Sequence, residues 1–88
     1  MTYEVKFTKG ARKMFRKLSQ ELQDRIQPKI DELAIEPRPN GVKKLQGEDN
    51  SYRIRVSDYR VIYDIFDDVL LVKIVDVGHR SKVYKDES

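Results

Sequence analysis

Polar and apolar positions first alternate along the chain and then switch to a longer period. In TYEVKF, Tyr3, Val5 and Phe7 fall on one side and Glu4 and Lys6 on the other, the two-residue period of a half-buried strand. Thr8 is placed to cap a helix running to about Leu18, with Ala11, Met14, Phe15 and Leu18 as an apolar stripe between Arg12, Lys13, Arg16 and Lys17. Ser19 is a second N-cap, with Glu21 in the first turn, and Leu22, Ile26, Ile30 and Leu33 recur at helical spacing. An antiparallel helical hairpin is the expected result. Pro28 removes a backbone donor and crowds the preceding turn, at a cost of about 3 kcal/mol, so either a kink or a restarted helix is expected there.

EPRPNGVKKLQGEDNS, residues 36–51, holds two prolines, two glycines and Asn-Gly, and reads as a loop. Three strands follow, 52–56, 59–66 and 69–77, separated by Ser57-Asp58 and Asp67-Asp68. Strand, two helices and a three-stranded meander predict an α+β fold of two layers, an antiparallel sheet with both helices packed on one face, in a single domain 1–88. With Ser57-Asp58 as a tight turn, Val56 opposes Tyr59, Arg55 opposes Arg60, Ile54 opposes Val61 and Arg53 opposes Ile62. The same construction at Asp67-Asp68 pairs Ile65 with Leu70, Tyr63 with Val72 and Val61 with Ile74. Tyr52, Ile54, Val56, Tyr59, Val61 and Tyr63 then face the helices, and Arg53, Arg55 and Arg60 share the other side.

Composition narrows the class. Of the 88 residues 39% are hydrophobic and 38% charged, which suits a modest core under a heavily charged, soluble surface. No apolar run reaches the about 18 to 20 residues a membrane span needs, and MTYEVKFTKG lacks the apolar centre of a signal peptide, so a cytoplasmic protein without membrane contact is expected. There is no cysteine and one histidine, so neither a disulfide, a thiolate nucleophile nor a structural metal site is expected. The net charge is only +3, but Arg53, Arg55, Arg60, Lys73, Arg80, Lys82 and Lys85 crowd the second half, the pattern of a protein with a polyanionic partner.

Arg55 opposite Arg60 is a like-charge pair, which costs a sheet a fraction of a kcal/mol, about 0.2–1, so stability does not account for it. An anion that normally sits there does, since guanidinium forks match phosphate oxygens. The competing reading is a solvated face whose arginines pair with Asp64, Glu48 or Asp49. Tyr84 reads equally as a packing lid or as part of a site, and Lys43 and Lys44 as loop lysines or as nucleic-acid contacts.

KKLQG (43–47), YRIRVSDYRVIYDI (52–65) and VGHRSKVY (77–84), in this order and spacing after a strand and a helical hairpin, resemble RelE-type toxins of the RelE/ParE superfamily over nearly the whole chain. The resemblance implies a toxin of a type II toxin-antitoxin module that cleaves messenger RNA in the ribosomal decoding site, with no metal and no cofactor. It implies neutralisation by a cognate RelB-like antitoxin, and operator DNA as a partner only through the toxin–antitoxin complex. Carried over by position, the two basic residues of the first meander strand fall on Arg53 and Arg55, the arginine opening the next strand on Arg60, the one after the glycine on Arg80, and the tyrosine near the C-terminus on Tyr84. Family members often carry lysine where this chain has Arg53 and Arg55, and the chain ends at Ser88 with little room for the C-terminal helix of some relatives.

In the reaction so implied, the ribose 2′-hydroxyl attacks the adjacent phosphate in line, giving a 2′,3′-cyclic phosphate and a free 5′-hydroxyl. Arg60 and Arg80 are the candidates for holding the scissile phosphate, Arg53 and Arg55 for the neighbouring phosphates, and Tyr84 for base stacking or proton transfer. Lys43, Lys44, His79 and Lys82 are candidate RNA contacts. His79 has the only side chain with a reference pKa, about 6.5, suited to proton transfer near neutrality, and an ordinary loop role competes with that. Two other readings stay open: a ParE-like toxin acting on DNA gyrase, and a catalytically silent RNA-binding module.

Overall fold

The computed structural model describes residues 2–47 and 50–79. The elements run β1 (Glu4–Phe7), α1 (Lys9–Arg16), α2 (Gln20–Glu32), β2 (Lys43–Lys44), β3 (Ser51–Val56), β4 (Tyr59–Phe66) and β5 (Leu71–His79). Both expected caps form. The Ala11 amide donates to Thr8 Oγ1 at 3.1 Å and the Leu22 amide to Ser19 Oγ at 3.3 Å, each satisfying a donor that a helix start leaves open. The Gln23 amide group donates to the carbonyls of Leu18 (2.9 Å) and Arg16 (3.3 Å), closing the end of α1 from the first turns of α2. α2 is one element with Pro28 in its interior and exposed, so the helix does not restart there. No helix among the described residues is long and apolar enough to cross a membrane.

The α+β class is as expected, with one correction to the sheet. Its order is β1-β5-β4-β3-β2, and β1 lies parallel to β5, from Glu4 opposite Leu71 to Phe7 opposite Ile74, so the five-stranded sheet is mixed rather than antiparallel. Alternation in TYEVKF specifies a face and not a neighbour. A parallel pair needs a long crossover, and here the helices and the meander supply it. A second correction is β2, two residues inside the expected loop, where Lys43 opposes Arg53 and Lys44 opposes Tyr52.

β3 and β4 pair in the expected register around Ser57-Asp58, with Ser57 at φ 56°. The β4–β5 register differs. Ile65 opposes Val72 and Tyr63 opposes Ile74, because the connection is four residues, 67–70, and not two; Val61 opposes Val77, a further residue along, because of a bulge. Asp67, the first residue of that connection, bonds to distant partners: Arg38 Nη2 lies 2.8 Å from Oδ2, and the Tyr3 hydroxyl donates to Oδ1 at 2.6 Å. A two-residue slip preserves which side each residue faces, so the expected inner face survives the error. Past Tyr63 the ladder carries a bulge at Val75, since Ile62 opposes Asp76. The extra residue turns Val77 inward, 1% exposed, and keeps Asp76 out of the core.

A single cluster forms the core. Ala11 and Phe15 of α1 and Ile26, Ile30 and Leu33 around α2 meet the inner sheet face, where Val61, Tyr63, Ile65, Val72 and Ile74 are buried. Met14, expected in the α1 stripe, is instead 41% exposed. Tyr63 is fully buried and donates its hydroxyl to the Pro37 carbonyl at 2.8 Å, which anchors the segment leaving α2.

Candidate nucleic-acid interface

Residues opposite one another on adjacent strands point to the same side of a sheet, so the register maps the face turned away from the helices. One row is Arg55, Arg60 and Gly78, the last contributing no side chain. The next is Lys43, Arg53, Ile62 and Asp76. A third carries Ser51, Asp64 and Lys73, with the Ser51 hydroxyl donating to Asp64 Oδ1 at 2.6 Å. Four cations therefore gather on the β2–β3–β4 half, and the carboxylates Asp64 and Asp76 lie beside them.

Burial separates the three sheet arginines. Arg53 and Arg60 are each 7% exposed and Arg55 is exposed. Arginine is almost never this buried unless its guanidinium is engaged, and both side chains take part in interactions within the molecule. A fully solvated arginine face is thus not what forms. Arg53 and Arg60 are buried while the third, Arg55, reaches solvent.

Beside this face, a cleft of about 550 Å³ opens between the end of α2, residues 39–41 and the edge of β3, lined by Lys29, Glu32, Pro39, Asn40, Gly41, Arg53, Ile54 and Arg55. β2 pairs only as far as Arg53, so the cleft lies where the paired edge stops. Gly41 holds φ 87° there, a left-handed conformation that suits glycine. Its cations Lys29, Arg53 and Arg55 outnumber the one carboxylate, Glu32.

The structure divides the other candidates. Lys43 joins the arginine face, whereas Lys44 pairs with Tyr52 and so points to the helix side. His79 opposes Tyr59, one residue beyond the Arg60–Gly78 pair, and therefore lies on the side opposite the arginines. Its ring meets Tyr59 edge-on with centroids 5.5 Å apart. Arg80, Lys82 and Tyr84 lie outside the described residues.

A polar network that no motif announced braces this half of the sheet. Arg38 donates to both oxygens of Asp67 (3.3 and 2.8 Å) and through Nε to the Tyr52 hydroxyl (3.2 Å), and its guanidinium lies 5.1 Å over the Tyr52 ring. The hydrogen bonds from Arg38 and Tyr3 hold the Asp67 carboxyl below its usual range, and the bond to Asp67 pushes the Tyr3 phenol up. Burial pushes the Tyr63 phenol up. Only the density of Pro and Arg in EPRPN marked this segment in sequence, because its partners are about 14 and 29 residues away.

Residues 5–84 match the profile of the ParE toxin of type II toxin-antitoxin systems. The chain is 32% identical to the mRNA interferase toxin RelE of Escherichia coli, over 98% of this chain and 94% of that protein. Among solved structures it resembles a chain of the archaeal RelE–RelB complex from Pyrococcus horikoshii (34% identity, 93% of this chain and 99% of that one, TM-score 0.81). It also resembles a chain of the toxin–antitoxin complex RelBE2 from Mycobacterium tuberculosis (30% identity, 93% and 95%, TM-score 0.80). With the profile spanning nearly the whole chain and RelE toxins as its relatives, the chain belongs to the RelE/ParE superfamily of type II toxin–antitoxin toxins.

Proposed function

We propose that this protein is a RelE-type toxin, an endoribonuclease that cuts messenger RNA on the ribosome and is neutralised by a cognate RelB-like antitoxin. The observation that carries this reading is the Arg55–Arg60 pair, flanked by Arg53 and Lys43 on one sheet face. The relatives support it: the Escherichia coli protein is named an mRNA interferase, and RelE chains are solved in complex with RelB. Operator DNA enters only through the toxin–antitoxin complex.

The chemistry follows from what arginine can and cannot do. The substrate carries its own nucleophile: the 2′-hydroxyl gives up its proton to water as its oxygen attacks phosphorus in line, the bond to the 5′-oxygen breaks, and the leaving oxygen takes a proton from water or Tyr84. Arg60 is only 7% exposed, so little of it has to be desolvated as charge grows on the scissile phosphate. We assign Arg80 to the same phosphate, Arg53 and Arg55 to the adjacent ones, and Tyr84 to stacking on a base or proton transfer. A guanidinium stays protonated across the whole physiological range and is no general base. Much of the rate enhancement then falls to positioning, and the ribosome supplies it by holding the codon. Lys43 extends the phosphate track.

The test is to induce the protein and its Arg60→Ala, Arg80→Ala variant in bacteria and map messenger 5′ ends. New ends inside codons, dependent on translation and absent in the variant, are expected. Growth arrest with intact messengers and altered DNA supercoiling overturns this reading in favour of a gyrase-directed toxin.

A further inference from the structure

Helix α1 carries a second concentration of charge, away from the arginine face. Between Phe7 and Glu21 the chain has no carboxylate and five cations: Lys9, Arg12, Lys13, Arg16 and Lys17. At 3.6 residues per turn, Lys9, Arg12, Lys13 and Arg16 fall within an arc of about 100° and a length of about 10 Å. All four are exposed, while Ala11 and Phe15, across the helix, are buried.

This placement works against the helix. Like charges at i,i+3 and i,i+4 repel, and Lys9 sits in the first turn, where the macrodipole disfavours a cation and no acidic residue offsets it. α2 shows the ordinary arrangement: Arg25 bonds Glu21 (3.2 Å), Gln20 bonds Asp24 (2.8 Å) and Gln27 bonds Asp31 (2.8 Å), each one turn apart. Among the described residues no carboxylate pairs with Lys9, Arg12, Lys13, Arg16 or Lys17. Arg12 is steadied by a ring instead, its guanidinium 5.2 Å over Phe7.

We infer that the α1 stripe is a second RNA-docking surface, which grips the phosphate backbone of structured RNA while the arginine face across the sheet takes the strand to be cut. The inference rests on the messenger-RNA reading above. A stripe of about 10 Å is too long for one phosphate and suits a row of them. An anionic membrane is disfavoured because the apolar side of α1 is already committed to the core, leaving nothing to insert. An acidic protein partner needs a desolvated apolar anchor, and the exposed apolar residue of α1, Met14, points away from the stripe by more than a quarter turn.

The test measures binding of the full-length protein to an RNA hairpin of about 16 base pairs across a salt series, with a matched DNA hairpin and phosphatidylserine vesicles as comparison probes. Lys13→Gln with Arg16→Gln is expected to weaken hairpin binding about tenfold or more and to reduce the salt slope by about 1 to 2. Lys9→Glu places a carboxylate one turn before Lys13, so its thermal midpoint is expected to hold or rise while RNA affinity falls; a merely structural stripe moves both the same way. Arg53→Ala with Arg55→Ala is expected to lose cleavage while weakening hairpin binding less than the α1 variant does. Unchanged affinity and slope in the α1 variants overturn the inference, as does tighter binding to vesicles or DNA than to RNA. A lowered slope without messenger cleavage overturns the proposed function alone, and intact cleavage with an unmoved slope overturns the docking surface alone.

Discussion

Arg55 and Arg60 stand directly opposite one another on antiparallel β3 and β4, the first exposed and the second 7% exposed. A cross-strand pair of like charge is a standing cost, and the two residues differ in how they bear it. Arg60 is buried, while Arg55 extends into solvent.

That asymmetry sets the first expectation. Replacing Arg55 with Thr removes the repulsion and adds a β-branched residue, so stability is expected to rise by a few tenths of a kcal/mol, up to about 1. Toxicity falls in the same variant. Denaturant titration beside a growth assay checks both, and an Arg55→Thr protein that is less stable shows the pair to be favourable.

Asp67 gives an acid-side expectation. Its carboxyl is held below its ordinary value of 3.8 by Arg38 first and Tyr3 second, so the folded state favours the ionised form. The stabilisation is therefore present above pH 3.8 and lost as pH falls through the lower, folded value. The stability difference between the wild type and Asp67→Asn is expected to be largest above that pH and to shrink below it, read by thermal melts from pH 2 to about 6.

Tyr63 tests the buried end of the same region. Tyr63→Phe leaves the Pro37 carbonyl without its 2.8 Å donor, a loss of about 1–3 kcal/mol. For a domain of this size each kcal/mol lowers the thermal midpoint by about 4–8 °C. Burial raises the Tyr63 pKa in the folded state, so the wild type also loses stability as pH rises past 10. That alkaline decline is expected to be shallower in the Phe variant.

The Val75 bulge is expected to be removable. Deleting Val75 leaves Asp76 opposite Ile62 and Val77 opposite Val61, the partners they already have, so no carboxylate enters the core. The folded circular dichroism signal is expected to survive the deletion, and its loss shows that the local twist the bulge gives β5 is required for folding.

Much of the fold was legible because periodicity is a local property. Thr8 and Ser19 cap where they were expected, Ile26, Ile30 and Leu33 bury as the helical spacing predicts, and the Ser57-Asp58 hairpin sets Arg53, Arg55 and Arg60 on one side. Charge repulsion between Arg55 and Arg60 was likewise readable from the register of a two-residue turn. The longer 67–70 connection was not, because the partners of Asp67, Arg38 and Tyr3, are distant in sequence.

What the sequence by itself determined was which side each residue takes, since strand and helix periods follow from backbone geometry alone. Only the tertiary structure decided which elements adjoin. It set β1 parallel to β5, turned Asp76 outward by a bulge, placed His79 on the side away from the arginines, and buried Arg53 and Arg60 while leaving Arg55 in solvent. Those outcomes depend on long-range pairing and on which groups can be satisfied once water is excluded, and neither is encoded within a short window of chain.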